Sequence, residues 1–150
     1  MKLASCQKKQ EKLKKQFLAL NTMEERYEKI IEMGRMLPSF PKEEKKEENR
    51  VQGCQSLLYL KTTLHEENVD ILVFSNALIS SGLAALLVFV YQNESPIAIL
   101  KYPPLFLKEI GILEALSPGR SNGLRSLYQK LRKNVVQFIV NYSIGKEELC

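Results

Sequence analysis

The chain has 150 residues and a 45% hydrophobic content, enough for one domain whose core needs neither metal nor disulfide. Its formal net charge of +5 comes from the start, where Lys2, Lys8, Lys9, Lys12, Lys14 and Lys15 face Glu11 alone; beyond residue 16 acids and bases balance, which argues against a nucleic-acid-binding face. The 3 cysteines, Cys6, Cys54 and Cys150, stand far apart, and His65 is the single histidine, so there is no metal-ligating set, no C-x-x-C motif and no disulfide framework. The natural setting is a reducing one, the cytoplasm.

In chain order, the basic segment 1–16 reads as a solvated lysine face on a helix over Cys6–Ala19 that frays at its start. It lacks the continuous apolar core and cleavage site of an export signal. Thr22 with Glu25 forms a capping-box pattern, and Met23, Tyr27, Ile30, Ile31 and Leu37 recur at helical spacing, predicting a helix from Met23 to about Met36 that Pro38 and Pro41 stop. Lys42–Arg50 is almost entirely charged and reads as a solvated loop or a short polar turn. Ser56–Thr63 and Val69–Phe74 are short, apolar and partly β-branched, predicting an antiparallel hairpin joined by the polar run Leu64–Asn68. Val69, Ile71 and Val73 share one face, which helices must cover.

Ala77–Tyr91 is the longest apolar run. Broken by Ser80, Ser81 and Gly82, it falls short of the about 20 residues a membrane span needs, and it reads as a buried central helix capped by Ser75 or Asn76. Ser95-Pro96 restarts a helix, Pro103-Pro104 starts a short turn, and Ser117-Pro118-Gly119 marks a loop. A last helix over Ser121–Val140 turns Leu124, Leu127, Tyr128, Leu131, Val135 and Phe138 inward, leaving 141–150 as a tail. These elements make a single domain over 1–150 of the α+β class, a small antiparallel sheet packed against several helices.

Among candidate reactive residues, Cys54 follows Gly53 in a non-helical stretch between a charged loop and a strand, where a tight turn can present or hide a thiol. By residue type alone an isolated cysteine is more often a small core residue. The neighbouring sequence changes that reading. Asn49-Arg50-Val51-Gln52-Gly53-Cys54-Gln55-Ser56 closely resembles the N-x-V-x-G-C-Q-S signature of the SufE family. Upstream, Glu24-Glu25-Arg26-Tyr27, Ile30-Ile31 and Gly34-Arg35-Met36-Leu37-Pro38 are similar to a helix of that family and its exit. Downstream, Gly82-Leu83 and Leu116–Leu124 resemble its G-L and L-(S/T)-P-x-R-x-(N/Q)-G-L segments, so four pieces match in order from Phe17 to Lys133.

The resemblance implies a two-layer fold, also known from iron-sulfur scaffold proteins, with Cys54 on a loop at the edge of the sheet. It implies a sulfur acceptor and carrier that stimulates a cysteine desulfurase, SufS-like or CsdA-like, takes sulfur onto Cys54 as a persulfide and delivers it to a SufBCD-like iron-sulfur scaffold complex. The pyridoxal phosphate belongs to the desulfurase, and no cofactor or metal is expected here. Gly53 is expected to shape the loop; Gln55 either hydrogen-bonds near the sulfur, which the family motif favours, or caps the loop; Arg120 is either a charge for the Cys54 thiolate or partner, or a loop cap. Cys54 is expected to be shielded at rest and turned outward in the complex. Tyr59 stands where the family usually has tryptophan and is read as an aromatic plug near the loop, and Asn76 stands where aspartate is common. Three other readings compete: a Cys-His hydrolase pairing Cys54 with His65, a cluster scaffold that needs more ligands than this chain has, and an adaptor that activates the desulfurase without carrying sulfur.

Overall fold

A computed structural model describes residues 4–148; Lys2 and Cys150 lie outside the described residues. Helix α1, Ser5–Leu18, is followed by α2, Met23–Arg35, where the Thr22 hydroxyl accepts the Glu25 amide (3.1 Å) as the capping pattern requires. Strands β1, Leu58–His65, and β2, Asn68–Ser75, form a two-stranded antiparallel sheet in the register Leu58↔Ser75 to His65↔Asn68. The linker is shorter than the polar run Leu64–Asn68 implied: Glu66 takes φ +58°, the left-handed backbone of a tight hairpin turn, and pairing extends to the turn on both sides.

Leu58, Leu60, Val69, Ile71 and Val73 point inward from the sheet, and α3, Leu78–Tyr91, and α7, Pro118–Glu148, pack against the strands. Between them run three short helices, α4 at Pro96–Lys101, α5 at Phe106–Glu109 and α6 at Ile112–Ala115. The fold is thus α+β, as expected. Helix α3 is central and crosses α2 at very short range: a side-chain carbon on Gly82 would stand 2.3 Å from the Ile30 carbonyl oxygen, and one on Gly34 2.7 Å from the Gly82 nitrogen. Glycine at both positions is what lets these backbones touch. The free edge of β2 is closed by the chain after α3, where the Gln92 side chain accepts from the Ile71 amide (2.7 Å) and donates to its carbonyl (3.2 Å), and the Asn93 amide donates to Val69 (3.0 Å).

Of the two readings of the charged run Lys42–Arg50 the short polar turn holds: it folds as two 3-10 turns, Lys42–Glu44 and Glu47–Asn49, over the outer face of the sheet, with Lys61 paired to Glu44 (3.2 Å) and Lys45 over the Phe74 ring (3.7 Å). Several other expectations need correction. Tyr59 belongs to this outer face, stacked on Phe40 and tilted against Phe74, and plugs nothing beside Cys54; strand alternation puts it opposite the inward Leu58 and Leu60. The start of α1 is regular helix from Ser5, with Cys6, Leu13 and Phe17 in the core. Part of its lysine face is taken up internally: Lys9 pairs with Glu94 (2.6 Å), Lys14 with Glu109, and Lys12 lies over Phe89. Ser117 and Pro118 begin α7 instead of a loop, the serine hydroxyl accepting from the Arg120 amide (3.3 Å) and proline filling the first helical position. Past Val140 nothing stops the helix, and it runs through the expected tail to Glu148. Among the described residues no helix is long and apolar enough to cross a membrane.

Candidate functional site

The segment Gln52–Leu57 is a loop whose base is closed where the Val51 amide donates to the Leu58 carbonyl (2.9 Å) and Arg50 bridges Tyr59. Gly53 takes φ +79°, a left-handed conformation that favours glycine, and so reverses the chain to aim the next side chain inward. The loop then lies along the first turns of α7. A side-chain carbon on Gly53 would stand 3.0 Å from Ser126 Oγ, one on Gly123 would stand 2.6 Å from Cys54 Sγ, and the Gln55 side chain rests on Gly119. Gly119, Gly123 and Ser126 thus form a track of small residues on which Gln55, Cys54 and Gly53 are seated in reverse order.

Cys54 is partly buried. It lines a small cavity of about 10 Å³ together with Leu58, Ser80, Leu83, Arg120, Leu124 and Leu127. One flank is therefore apolar and the other carries a guanidinium. The Arg120 Nε is buried with no hydrogen-bond partner, and among the described residues its side chain forms no salt bridge. The geometry brings together two of the residues read from the sequence, Cys54 and Arg120. Gly53 acts on the loop backbone, and Gln55 is an exposed side chain lying over the start of α7.

Three further hydrogen bonds hold the loop. The Ser80 hydroxyl donates to Ser56 (3.2 Å), Asn76 Oδ1 accepts the Leu57 amide (3.1 Å), and the Asn76 amide donates to the Leu57 carbonyl (3.3 Å). Asn76 is therefore a tie for the loop, and neither it nor Ser75 is the cap expected for α3: the N-cap is Ala77, which offers no side-chain cap, and the Ser75 hydroxyl accepts that residue's own amide (3.2 Å). Sequence reasoning missed Ser80 and the seat on α7. Gly119 and Gly123, one turn apart inside a helix that neither favours, were the available signal of a close approach.

His65 sits exposed at the far end of β1, seven residues and roughly 23 Å of strand beyond Leu58, so it is no base for Cys54. Among the described residues no cluster of three or more metal-ligating side chains occurs. Cys6 is fully buried with its thiol toward the Ala98 carbonyl (3.9 Å), and burial, then the Glu94 charge, pushes that thiol up from its usual range. It is a core residue.

The family model described as "SufE: Fe-S metabolism associated domain" matches residues 11–135. An uncharacterized SufE-like protein of Rhizobium etli is 39% identical over 123 residues, covering 78% of this chain and 82% of that protein. A second from Rhizobium meliloti is 35% identical over 121 residues, 77% and 86% of the two chains, and one from Synechocystis is 30% identical over 121 residues, 81% and 76%. The solution structure of a hypothetical protein from Thermus thermophilus superposes with a TM-score of 0.75 at 25% identity, covering 88% of this chain and 96% of that one.

Proposed function

Because this chain belongs to the SufE family, whose domain is associated with Fe-S metabolism, we propose that it takes sulfur from a cysteine desulfurase onto Cys54 as a persulfide and hands it on to iron-sulfur cluster assembly. The observation that carries this reading is the placement of Cys54: a lone thiol on a tied-down loop, at an apolar cleft also lined by Arg120, whose Nε is buried with no hydrogen-bond partner. A core cysteine needs no such loop and no such charge.

The chemistry is thiol exchange. The Cys54 thiolate attacks the outer sulfur of a persulfide on the desulfurase; the bond to the desulfurase sulfur breaks as the new S–S bond forms, and the desulfurase thiolate leaves and takes up the proton Cys54 gave up. No external oxidant is consumed. Arg120 supplies a fixed positive charge for the Cys54 thiolate before attack and for the persulfide anion after it. The apolar flank from Leu58, Leu83, Leu124 and Leu127 keeps stray thiols and oxidants from the loaded sulfur.

Reaching a partner requires Cys54 to leave the cleft. The ties to be broken are few, Ser56 to Ser80 and Leu57 to Asn76 in addition to the contacts along α7, so opening belongs to the low-energy end of local motions. The desulfurase, SufS-like or CsdA-like, brings the pyridoxal phosphate, and this chain works without a cofactor of its own. The next acceptor is a SufBCD-like scaffold complex, and the exchange belongs in the reducing cytoplasm.

The test is to incubate the protein with a cysteine desulfurase and free cysteine without reductant and to measure intact and peptide mass. An adduct of about 32 Da, one sulfur atom, on Cys54 that requires both enzyme and cysteine is the expected result. Binding and full stimulation of the desulfurase without an adduct, or an undiminished yield from Cys54→Ser, would show an adaptor instead.

A further inference from the structure

Ser80 is out of keeping with its place. It lies on the buried side of α3, 6% exposed, and lines the cavity beside Cys54 in company with Leu58, Leu83 and Leu127. A hydroxyl put there costs free energy unless it is hydrogen-bonded, and a helical serine commonly finds its partner in a carbonyl just upstream. The adjacent Ser81 does this, donating to the Ser75 carbonyl (3.1 Å). Ser80 instead reaches across to the loop, to the hydroxyl of Ser56 (3.2 Å), two residues beyond Cys54.

This pair has a property that the amide tie from Leu57 to Asn76 lacks. An amide N–H only donates, whereas each serine hydroxyl rotates, donates one proton and accepts others. The bond between the two serines is therefore reversible in direction. With Ser80 donating, its proton is held by the loop; with Ser56 donating, the two oxygens keep their distance and the Ser80 proton is free to turn into the cavity. Apart from Cys54 itself, only Ser80 and Arg120 bring polar side chains to the cavity lining. Its volume of about 10 Å³ is roughly what one water-sized body needs. An added sulfur atom belongs to that size class, and as an anion it accepts hydrogen bonds and donates none.

We propose that Ser80 is the hydrogen-bond donor for the transferred sulfur: at rest its hydroxyl ties down the loop through Ser56, and once Cys54 is loaded the pair reverses, Ser56 donating to Ser80 and Ser80 to the outer sulfur of the persulfide. This rests on the carrier reading above and adds to that site a residue which holds the cargo. No covalent bond forms or breaks in the reversal; two hydroxyl protons rotate. The loop keeps its tie and the sulfur gains a donor in addition to the Arg120 charge, so the loaded loop is held more tightly than the empty one. The empty loop opens readily to be loaded, and the loaded loop waits for a partner that opens it.

Two alanine variants separate a donor from a tie. Ser56→Ala removes the tie alone, and Ser80→Ala removes the tie and the donor; both should keep the parent's circular dichroism spectrum. In the empty proteins, iodoacetamide alkylation of Cys54 should speed up to the same extent in the two variants, about 2- to 10-fold, the worth of one neutral hydrogen bond. For the loaded state, the proteins are incubated with a cysteine desulfurase and cysteine, separated from both and treated with cyanide, which takes the outer sulfur as thiocyanate and returns the Cys54 thiolate. Decay of the adduct of about 32 Da gives the rate. Ser80→Ala should lose its sulfur at least about tenfold faster than Ser56→Ala, because a hydrogen bond to a charged acceptor is stronger than one between neutral groups. Equal decay of the two loaded variants, or resting alkylation rates that already differ by that factor, would overturn the proposal and leave Ser80 a loop tie. A parent chain that takes up no sulfur at all would refute the carrier reading and this proposal with it, a result distinct from equal decay in chains that load.

Discussion

Replacing Gly123 by alanine places a methyl carbon 2.6 Å from Cys54 Sγ and 3.2 Å from its Cβ, where ordinary contact begins near 3.4 Å. One of the two has to give by nearly 1 Å. Helix α7 is anchored in the core by Leu124, Leu127 and Leu131 from that turn onward, while the loop is held by a few hydrogen bonds, so the loop is the part that moves. Overpacking of this kind costs about 1–3 kcal/mol. Alanine also gains up to about 1 kcal/mol over glycine in a helix, but this gain is present whether the loop is seated or open and does not offset the clash. The penalty therefore falls on the seated state and raises the open population about 5- to 150-fold. Alkylation of Cys54 by iodoacetamide, followed by peptide mass, should speed up about tenfold or more, with a thermal midpoint near that of the parent. The same change at Gly119 makes a useful contrast: its methyl meets the end of the Gln55 side chain, which can swing away, so Gly119→Ala should leave Cys54 reactivity unchanged. An unchanged alkylation rate in a folded Gly123→Ala protein would refute the claim that Gly123 seats the thiol.

Arg120→Gln should lower sulfur loading of Cys54 about tenfold or more while the thermal midpoint stays near that of the parent, because the guanidinium touches the cleft and anchors no ion pair; equal loading would leave it a loop residue. His65→Ala should leave loading within about twofold of the parent, since the histidine stands at the opposite end of β1, and a loss of activity would reopen the hydrolase reading. Gly82→Ala should cost about 3 kcal/mol or more in urea unfolding, its methyl meeting the Ile30 carbonyl, and a cost under about 1 kcal/mol would count against the tight α2–α3 crossing. Burial raises the thiol of Cys6 and the phenols of Tyr91 and Tyr128. The folded chain holds protons that the unfolded chain releases, so stability is intact below the unfolded thiol pKa of about 8.5 and declines as pH rises through it and on toward the phenol range; a urea midpoint unaltered between pH 8 and 10 would contradict this.

What the sequence made legible was local. Apolar spacing and the Thr22 cap gave α2, alternation gave the inward set Val69, Ile71 and Val73, and the Gly53-Cys54 pair marked the loop. The misses share a cause, which is that they depend on what lies beside a residue in space. Asn76 is equally suited to cap a helix or to accept a strand amide, and the nearby Leu57 amide decided between them. Tyr59 was assigned to the loop by resemblance, although alternation from Leu58 and Leu60 already put it on the other face. The seat of Cys54 is Gly123, 69 residues further on, a contact no local pattern encodes. The end of α7 was misplaced because a helix that meets no proline and only an isolated Gly145 has no stop signal.

The glycines of α3 and α7 separate stability from function by one criterion, the nature of the atom each one faces. Gly82 faces the backbone of α2, which cannot yield without moving a whole helix of the core, so its hydrogen is a requirement of the fold. Gly123 faces a sulfur on a loop held by a few polar ties, so its hydrogen is a requirement of the seated thiol alone, and the same substitution there changes reactivity more than stability. Gly119 faces the end of a flexible amide and is a requirement of neither. A carrier needs a site that can open while the core stays intact, and here the division falls along α7: its Leu124, Leu127 and Leu131 side holds the domain together, and its small-residue side lets the cysteine go.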